Sequence, residues 1–204
     1  MGSRECQQGH RGLRSVLSRR PKFQKESGIH KVEWNPLIRP HTFLWVKRLQ
    51  INLIQSKTLL TRSSGYLKEV CSHSLNPYGG CGYGLSSCGE GCYVRFNPWL
   101  TQGREWGKFV DVKINAGELY LRSIEKEKNW AHKRSIPFTI FMSSSTDPWQ
   151  PAEKKYRVTR SVLQAMTTCP PDTLILQTHS SNILDDQALL LKLDCSLRIH
   201  ISIE

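Results

Sequence analysis

The sequence has no long apolar run of the kind that a membrane span requires. No stretch of about 18 consecutive apolar residues occurs in the 204 residues, so we expect no transmembrane helix. Residues 1–20 contain no apolar segment like that of a secretory signal. Cys6 stands where a myristoylation signal needs Ser or Thr. We therefore expect a cytoplasmic protein that neither crosses a membrane nor is anchored to one.

Acidic residues are fewer than basic residues, and the excess of basic residues lies mostly in the N-terminal part of the chain. The chain has 29 Lys and Arg against 17 Asp and Glu, a net charge of +12. Residues 1–70 hold fourteen of the basic and four of the acidic residues, whereas residues 71–204 are nearly balanced. The pattern predicts a basic N-terminal arm at residues 1–65 before a body at residues 66–204. Such an arm fits a nucleic-acid or acidic partner, or a solvated leader.

The cysteines do not form an even set. Seven cysteines without a secretion signal disfavour a disulfide framework. Metal binding or catalysis is the better interpretation of such a count.

Beyond residue 65, strand and helix patterns alternate along the chain. Apolar runs predict strands at residues 66–72, 137–143, 173–178 and 197–203, and amphipathic patterns predict helices at residues 116–132, 152–167 and 182–193. Residues 41–61 fit a strand pair or a short helix. The alternation predicts an α/β fold with parallel strands that curl into part of a (β/α) barrel. Active residues in such folds follow the carboxyl ends of the strands, here at residues 74–98, 143–150 and 179–182.

The first of these loops carries the strongest chemical signal. Cys81, Cys88 and Cys92 fall within twelve residues, in a segment with six glycines at residues 74–98. Glycines allow a backbone to wrap closely around an iron–sulfur cluster. Three thiolates would leave one iron of a four-iron cluster open to a cofactor or substrate. A zinc site completed by His73, or three unligated thiols, are alternative interpretations.

Ordered motifs in the chain resemble a known family. The runs N-P-Y-x-G-C at residues 76–81 and C-Y-V-R at residues 92–95 resemble the cluster loop of radical S-adenosyl-L-methionine (SAM) proteins related to spore photoproduct lyase. The segments VKINAGEL at 112–119, SSTDPWQPAEKKYRVTR at 144–160 and HISIE at 200–204 resemble later segments of that family in the same order. The resemblance covers residues 66–204.

The resemblance implies a fold, two cofactors and a reaction. It implies a partial radical SAM-type barrel with a four-iron ([4Fe-4S]) cluster on Cys81, Cys88 and Cys92. SAM would bind the open iron, and a one-electron reductant would trigger lyase-like chemistry through a 5′-deoxyadenosyl radical on an unknown substrate. The resemblance places Thr146 and Asp147 near the methionine end of SAM. It places Ser180 and Glu204 near the ribose. Capping of the following helix is the alternative role for Asp147.

The chain departs from the family pattern in three respects. The cysteine spacing is C-x6-C-x3-C rather than C-x3-C-x2-C, and Gly91 replaces an aromatic residue that packs on adenine, for which Tyr83 or Tyr93 are substitutes. The expected barrel stops after about four strands instead of six, so an inactive fragment is a second interpretation.

Residues 143–145 are serines with no thiol, which argues against repair of thymine dimers.

A different class of function also fits the composition. The basic arm, with Trp34, Phe43 and Trp45 interleaved, fits a non-catalytic nucleic-acid-binding protein with a zinc-stabilised cysteine loop. Nucleic acid therefore remains a candidate partner under both interpretations. Trp99, Trp106 and Trp130 are expected to serve in packing.

Overall fold

A computed structural model of the chain describes residues 49–84 and 92–202. Arg48–Glu204 form one compact unit. Most of the predicted basic arm, together with Cys88, Gly91 and Glu204, lies outside the described residues. Within residues 49–84 and 92–202, no helix is long and apolar enough to cross a membrane.

The described residues form eight strands and several short or medium helices. The strands are β1 (Gln50–Ile54), β2 (Leu60–Arg62), β3 (His73–Leu75), β4 (Tyr78–Gly80), β5 (Phe109–Lys113), β6 (Thr139–Met142), β7 (Thr173–Thr178) and β8 (Ser196–Ile201). The α-helices are α1 (Pro98–Thr101), α2 (Ala116–His132), α3 (Glu153–Tyr156), α4 (Val158–Thr168) and α5 (Gln187–Leu190). Segments of 3-10 helix occur at Gly65–Glu69, Tyr93–Phe96 and Ser181–Asp186.

The larger sheet has five strands in the order β2-β3-β6-β7-β8. Within this sheet, β3, β6, β7 and β8 are mutually parallel, and β2 runs antiparallel to β3. Ile140 of β6 pairs with His73 on one side and with Leu174 on the other. Most residues of β6 and β7 are buried, which is typical of parallel strands that are covered on both faces. This arrangement confirms the predicted α/β class, and the described residues form open mixed sheets.

The smaller sheet has the order β1-β5-β4. Val112 of β5 lies opposite Leu53 in the parallel strand β1 and opposite Tyr78 in the antiparallel strand β4. The chain passes from β3 in the larger sheet to β4 in the smaller sheet through Asn76 and Pro77. This change of sheet delivers the chain to Cys81.

Helices α2 and α4 pack on each other beside the larger sheet. Tyr120 and Ile124 of α2 and Leu163 and Met166 of α4 are fully or almost fully buried. Burial of such side chains stabilises the fold by about 1.5–3 kcal/mol each. The buried hydroxyl of Tyr120 donates to the Cys169 carbonyl at 2.8 Å, so its polar atom is satisfied.

The structure places the first part of the body differently from the sequence prediction. The predicted strand at residues 66–72 is wrong: a 3-10 helix occupies Gly65–Glu69, and the strand begins at His73. Gly65 has a φ of +55°, and the Leu67 carbonyl accepts bonds from the amides of Val70 and Cys71, which turns the chain. The undecided residues 41–61 contain β1, and β2 begins at Leu60. Both strands lie in the segment assigned to the arm.

Most of the later elements agree in type with the prediction, and two of them also have the predicted bounds. The helix at Ala116–His132 and the strand at Thr173–Thr178 have the predicted bounds. The predicted helix at residues 152–167 is divided at Arg157, whose φ of +52° interrupts it. The predicted helix at residues 182–193 is 3-10 helix as far as Asp186, whose buried carboxylate accepts from Trp149 and Arg160, and α-helix from Gln187 to Leu190. The strand β5 has no counterpart among the predicted strands.

Close contact between α2 and α4 yields a stability prediction. A Cβ atom on Gly117 would lie 2.9 Å from the Ser161 carbonyl oxygen, so Gly117→Ala forces the helices apart. We expect a net loss of about 1–2 kcal/mol in urea unfolding, although alanine favours a helix by about 1 kcal/mol. The exposed substitution Glu125→Ala in the same helix should change stability by less than about 0.5 kcal/mol. Equal stability of Gly117→Ala and wild type would contradict the packing.

Candidate functional site

A cleft lies where the carboxyl ends of the parallel strands meet. Because β3, β6 and β7 run in the same direction, the segments that follow them share one edge of the sheet. The cleft contains side chains from the cysteine loop, from the turn before β5 and from the segments after β6 and β7. Its lining residues are Cys81, Cys92, Tyr93, Val94, Trp106, Ser143, Ser144, Ser145, Thr146, Asp147, Gln177 and His179.

Two of the three predicted metal ligands meet in this cleft. Cys81 directly follows β4, and it is buried against Val94, Trp106 and Phe109, with Cys92 packed at the edge of the same group. The chain reaches Cys81 through Gly80, whose φ is +70° and whose Cβ would overlap the carbonyl of Phe109, so only glycine fits. Cys88, the third predicted ligand, lies outside the described residues.

Asn76 fixes the segment after β6 against the segment after β3. Its side-chain amide donates to Ser144 Oγ at 2.9 Å, and its side-chain oxygen accepts from the Ser145 amide at 3.1 Å. The Ser143 amide also donates to the Leu75 carbonyl at 3.1 Å. Ser143 has a φ of +88°, a conformation that residues other than glycine seldom adopt. These bonds therefore hold a tightly turned serine segment along the wall of the cleft.

Asp147 lines the cleft and also joins two strand ends. Its buried carboxylate accepts bonds from the His179 amide at 2.7 Å, from the Trp149 amide at 2.8 Å and from the Thr178 hydroxyl at 2.9 Å. Burial raises the pKa of Asp147 above its usual value, although the bonds from His179, Thr178 and Trp149 act in the opposite direction. The bond from Trp149 is of the local capping kind that was the alternative role for Asp147.

The other residues predicted to bind SAM have different surroundings. Thr146 lines the cleft, with its hydroxyl 3.4 Å from the Tyr78 carbonyl. The buried Ser180 hydroxyl accepts from the Asn182 amide at 3.2 Å and lies 3.2 Å from the hydroxyl of Tyr83. Ser180 thus caps the 3-10 helix that follows β7. Glu204 lies outside the described residues.

A buried acid and a buried phenol connect two of the sequence motifs. The Tyr78 hydroxyl donates to the Glu153 carboxylate, which also accepts from the amides of Thr159 at 2.9 Å and Arg160 at 3.0 Å. Burial raises the pKa values of Tyr78 and Glu153. The segment that carries Cys81 is therefore tied to the helices that follow the cleft.

Two buried N–H donors near Cys81 have no acceptor in the part of the chain that the structure describes. They are Trp106 Nε1 and Gln150 Nε2. Gln150 is fully buried, and its oxygen accepts from the Gly82 amide at 2.8 Å, next to Cys81 in sequence. A buried donor without a partner costs about 1–3 kcal/mol, and Trp106, which packs against Cys81, carries one of the two. Anionic sulfur is one acceptor of this kind, and Cys81 and Cys92 line the cleft in the part of the chain that the structure describes.

Sequence reasoning had no signal for the donor at Trp106. The tryptophan was expected to pack, and it does pack, but the unpaired state of its N–H depends on neighbours from three separate segments. Gln150 stands inside the T-D-P-W-Q-P segment at residues 146–151, and that motif was its only sequence signal.

The described residues alone contain no complete metal centre, either for the predicted iron–sulfur cluster or for the zinc alternative. Within residues 49–84 and 92–202, no group of three or more His, Cys, Asp or Glu side chains is arranged to hold a metal. His73 packs edge-on against Trp130, with Nε2 3.1 Å from Glu127 and Nδ1 3.0 Å from Ser72. Both of its ring nitrogens are therefore engaged, and a three-cysteine centre in this loop requires Cys88.

An ion pair supports the turn that carries Trp106. Arg104 donates two bonds to Asp111 at 2.8 and 2.7 Å, and its guanidinium lies 3.6 Å from the centre of the Phe109 ring. Asn52 of β1 donates a third bond to Asp111 at 2.8 Å. Burial tends to raise the pKa of Asp111, but the bonds and charge of Arg104 and the bond from Asn52 lower it below its usual value.

Comparisons with known proteins leave the family open. No family model matches the chain, and no solved structure matches it. The chain is 33% identical over 119 residues to a protein of Methanocaldococcus jannaschii that is described as uncharacterized. The aligned part is 58% of this chain and 39% of that protein, so the chain spans about two fifths of the relative's length.

The bond from Thr178 to Asp147 gives a second prediction. Thr178→Val keeps the shape of the side chain but deprives Asp147 of a donor and the Ser180 amide of its acceptor. We expect a loss of about 2 kcal/mol in urea unfolding, because buried polar groups are left unpaired. The matched substitution Thr167→Val, at an exposed site in α4, should change stability by less than about 0.5 kcal/mol. Similar values for both variants would contradict the role of Thr178.

The pair of Arg104 and Asp111 gives a prediction about pH. Because the folded pKa of Asp111 lies below its unfolded value of about 3.9, the pair stabilises the fold above that value. This contribution is lost as the pH falls through the folded pKa. Asp111→Asn should cost about 1–2 kcal/mol at pH 7, and the difference from wild type should shrink below about pH 4.

Thermal unfolding from pH 3 to pH 7 measures this difference. The control is Asp185→Asn, which removes an exposed pair 3.9 Å from Arg157 and should have almost no effect. A difference between Asp111→Asn and wild type that stays constant across the whole range would be inconsistent with the lowered pKa.

Proposed function

We propose that this chain is a radical SAM-type iron–sulfur protein related to spore photoproduct lyase. In this proposal Cys81, Cys88 and Cys92 bind a [4Fe-4S] cluster, and SAM binds at the same cleft. The parallel strands β3, β6, β7 and β8 form part of a (β/α) barrel of the radical SAM type. The proposal also includes a one-electron reductant and a substrate.

One observation carries the proposal. Cys81 and Cys92 come from the two ends of the cysteine loop and line the same cleft as residues 143–147, at the carboxyl ends of the parallel strands. Cys88 lies between these two cysteines in the sequence, and the proposal takes it as the third ligand. The unpaired donor of Trp106, which packs against Cys81, adds support because it suits an anionic acceptor.

The residues of the chain have separate tasks in this proposal. When bound, the cluster and SAM together supply a 5′-deoxyadenosyl radical after one-electron reduction, for hydrogen abstraction from the substrate. Val94, Trp106 and Phe109 keep water away from the buried side of Cys81. Thr146 and its serine neighbours supply polar groups for the amino and carboxylate groups of SAM. Asp147 positions this segment through its bonds to Thr178 and His179.

The ligand assignment is tested by metal binding. Anaerobic reconstitution with iron and sulfide should give a brown protein with about four iron and four sulfide per chain. Cys81→Ala, Cys88→Ala and Cys92→Ala should each abolish most of this binding. The matched control is Cys195→Ala, because this half-buried cysteine precedes β8, at the edge of the sheet opposite the cleft.

The other outcomes discriminate between functions. Full iron and sulfide content in Cys88→Ala would refute the ligand assignment. Zinc without sulfide in protein purified without oxygen would favour the nucleic-acid-binding alternative. For the loaded protein, calorimetric titration with SAM should give binding that the unloaded protein does not show.

A further inference from the structure

The face of β7 that lines the cleft continues onto β8, at the end of the larger sheet. Gln177 of β7 lines the cleft, and its Cα partner in β8 is His200. Paired residues in neighbouring strands point to the same face of a sheet, and side chains alternate between the two faces along a strand. Arg198 and His200 therefore lie on the same face as Gln177. Gln177 is half-buried and the other two are exposed, so a ligand in the cleft can reach all three.

These three side chains have no hydrogen-bond or ion-pair partner within residues 49–84 and 92–202. The other arginines in that part of the chain each contact a carboxylate, a backbone carbonyl or an aromatic ring. Arg198 instead pairs in register with Ile175, which pairs with Phe141, so its neighbours across the sheet are apolar. The group therefore presents N–H donors, one of them permanently charged, that no neighbouring carboxylate neutralises.

Such a group of donors suits an oxyanion. A guanidinium binds two oxygens of a phosphate or carboxylate at once, and amide and imidazole N–H groups can bind the remaining oxygens. An apolar ligand would leave all of these donors without partners. Strand β8 lies two strands away from β6, after which the serine segment assigned to SAM begins, and this distance is about 10 Å across the sheet. The donors therefore face a group other than the amino and carboxylate groups of SAM.

We propose that Gln177, Arg198 and His200 form a subsite that binds an oxyanion group of the substrate, a phosphate or a carboxylate. The inference rests on the proposed function, because it takes the cleft as the place where SAM and substrate meet. It adds a determinant of specificity, since a neutral analogue of the substrate would not satisfy these donors. Binding of the anion itself requires no cluster, because none of the three residues is a predicted metal ligand.

Titrations of the full chain with inorganic phosphate and with acetate, without iron or sulfide and at constant ionic strength, test the subsite by NMR. Arg198→Gln should weaken binding of the preferred anion about tenfold, because a charged donor of two hydrogen bonds is lost. Arg198→Lys keeps the charge and should lose less. The matched control is Arg122→Gln, at an exposed arginine of α2 that pairs with Glu118, and it should bind as wild type does. The anion that binds more tightly identifies the group as phosphate or carboxylate.

Wild-type protein gives an independent readout if Arg198→Gln does not fold. The bound anion should shift the imidazole proton signals of His200, which His200→Gln assigns. The signals of His132, a histidine of α2 that lies 3.6 Å from Asp172, should stay unchanged.

The subsite would be overturned if neither anion bound to wild type, if Arg198→Gln bound as tightly as wild type, or if His132 shifted as much as His200. Failure to bind iron and sulfide, in protein that does bind the anion at His200, would instead overturn the proposed function and leave an anion-binding surface. The two failures are therefore distinguishable.

Discussion

Hydrogen bonds between the segment after β3 and the segment after β6 hold the candidate site together. Asn76 bonds to Ser144 and Ser145, Tyr78 bonds to Glu153, and the Gly82 amide bonds to Gln150. These three contacts connect two motifs that lie about 70 residues apart in the sequence. Because Tyr78, Glu153 and Gln150 are buried, removing one partner would leave the other desolvated and unpaired. The position of Cys81 relative to the serine segment is fixed by this network.

The buried acids beside the cleft serve the architecture. Asp147 accepts from two amides and a hydroxyl, and Glu153 accepts from two amides and a phenol. A carboxylate with this many donors is held in one orientation and has little capacity left for proton transfer.

Local patterns predicted much of the fold, and the errors have physical causes. The helix α2 follows from an amphipathic repeat, and β7 has the apolar core Leu174–Leu176 between Pro171 and His179. The first strand was misplaced because the turn at Gly65 depends on its φ of +55°. The strands β1 and β4, which flank β5 in the smaller sheet, have weak hydrophobic patterns, and they form because they pair with β5. In the site, motifs identified Cys81, Cys92, Thr146 and Asp147. That the indole N–H of Trp106 has no acceptor among the described residues follows from tertiary packing, which the spacing of residues in the sequence does not reveal.

The segment before residue 66 takes part in the support of the cleft. Strand β1 pairs with β5 along its whole length, and Asn52 donates to Asp111, which holds Arg104. Arg104 in turn lies over Phe109, on which Trp106 packs. A continuous chain of contacts therefore leads from β1 to the indole beside Cys81. Because the Asp111 carboxylate has one geometry that satisfies Asn52 and both arms of Arg104, displacement of β1 would loosen the turn that carries Trp106. The basic composition of the first 65 residues did not reveal this structural role, because net charge bears on binding partners and not on which strands pair.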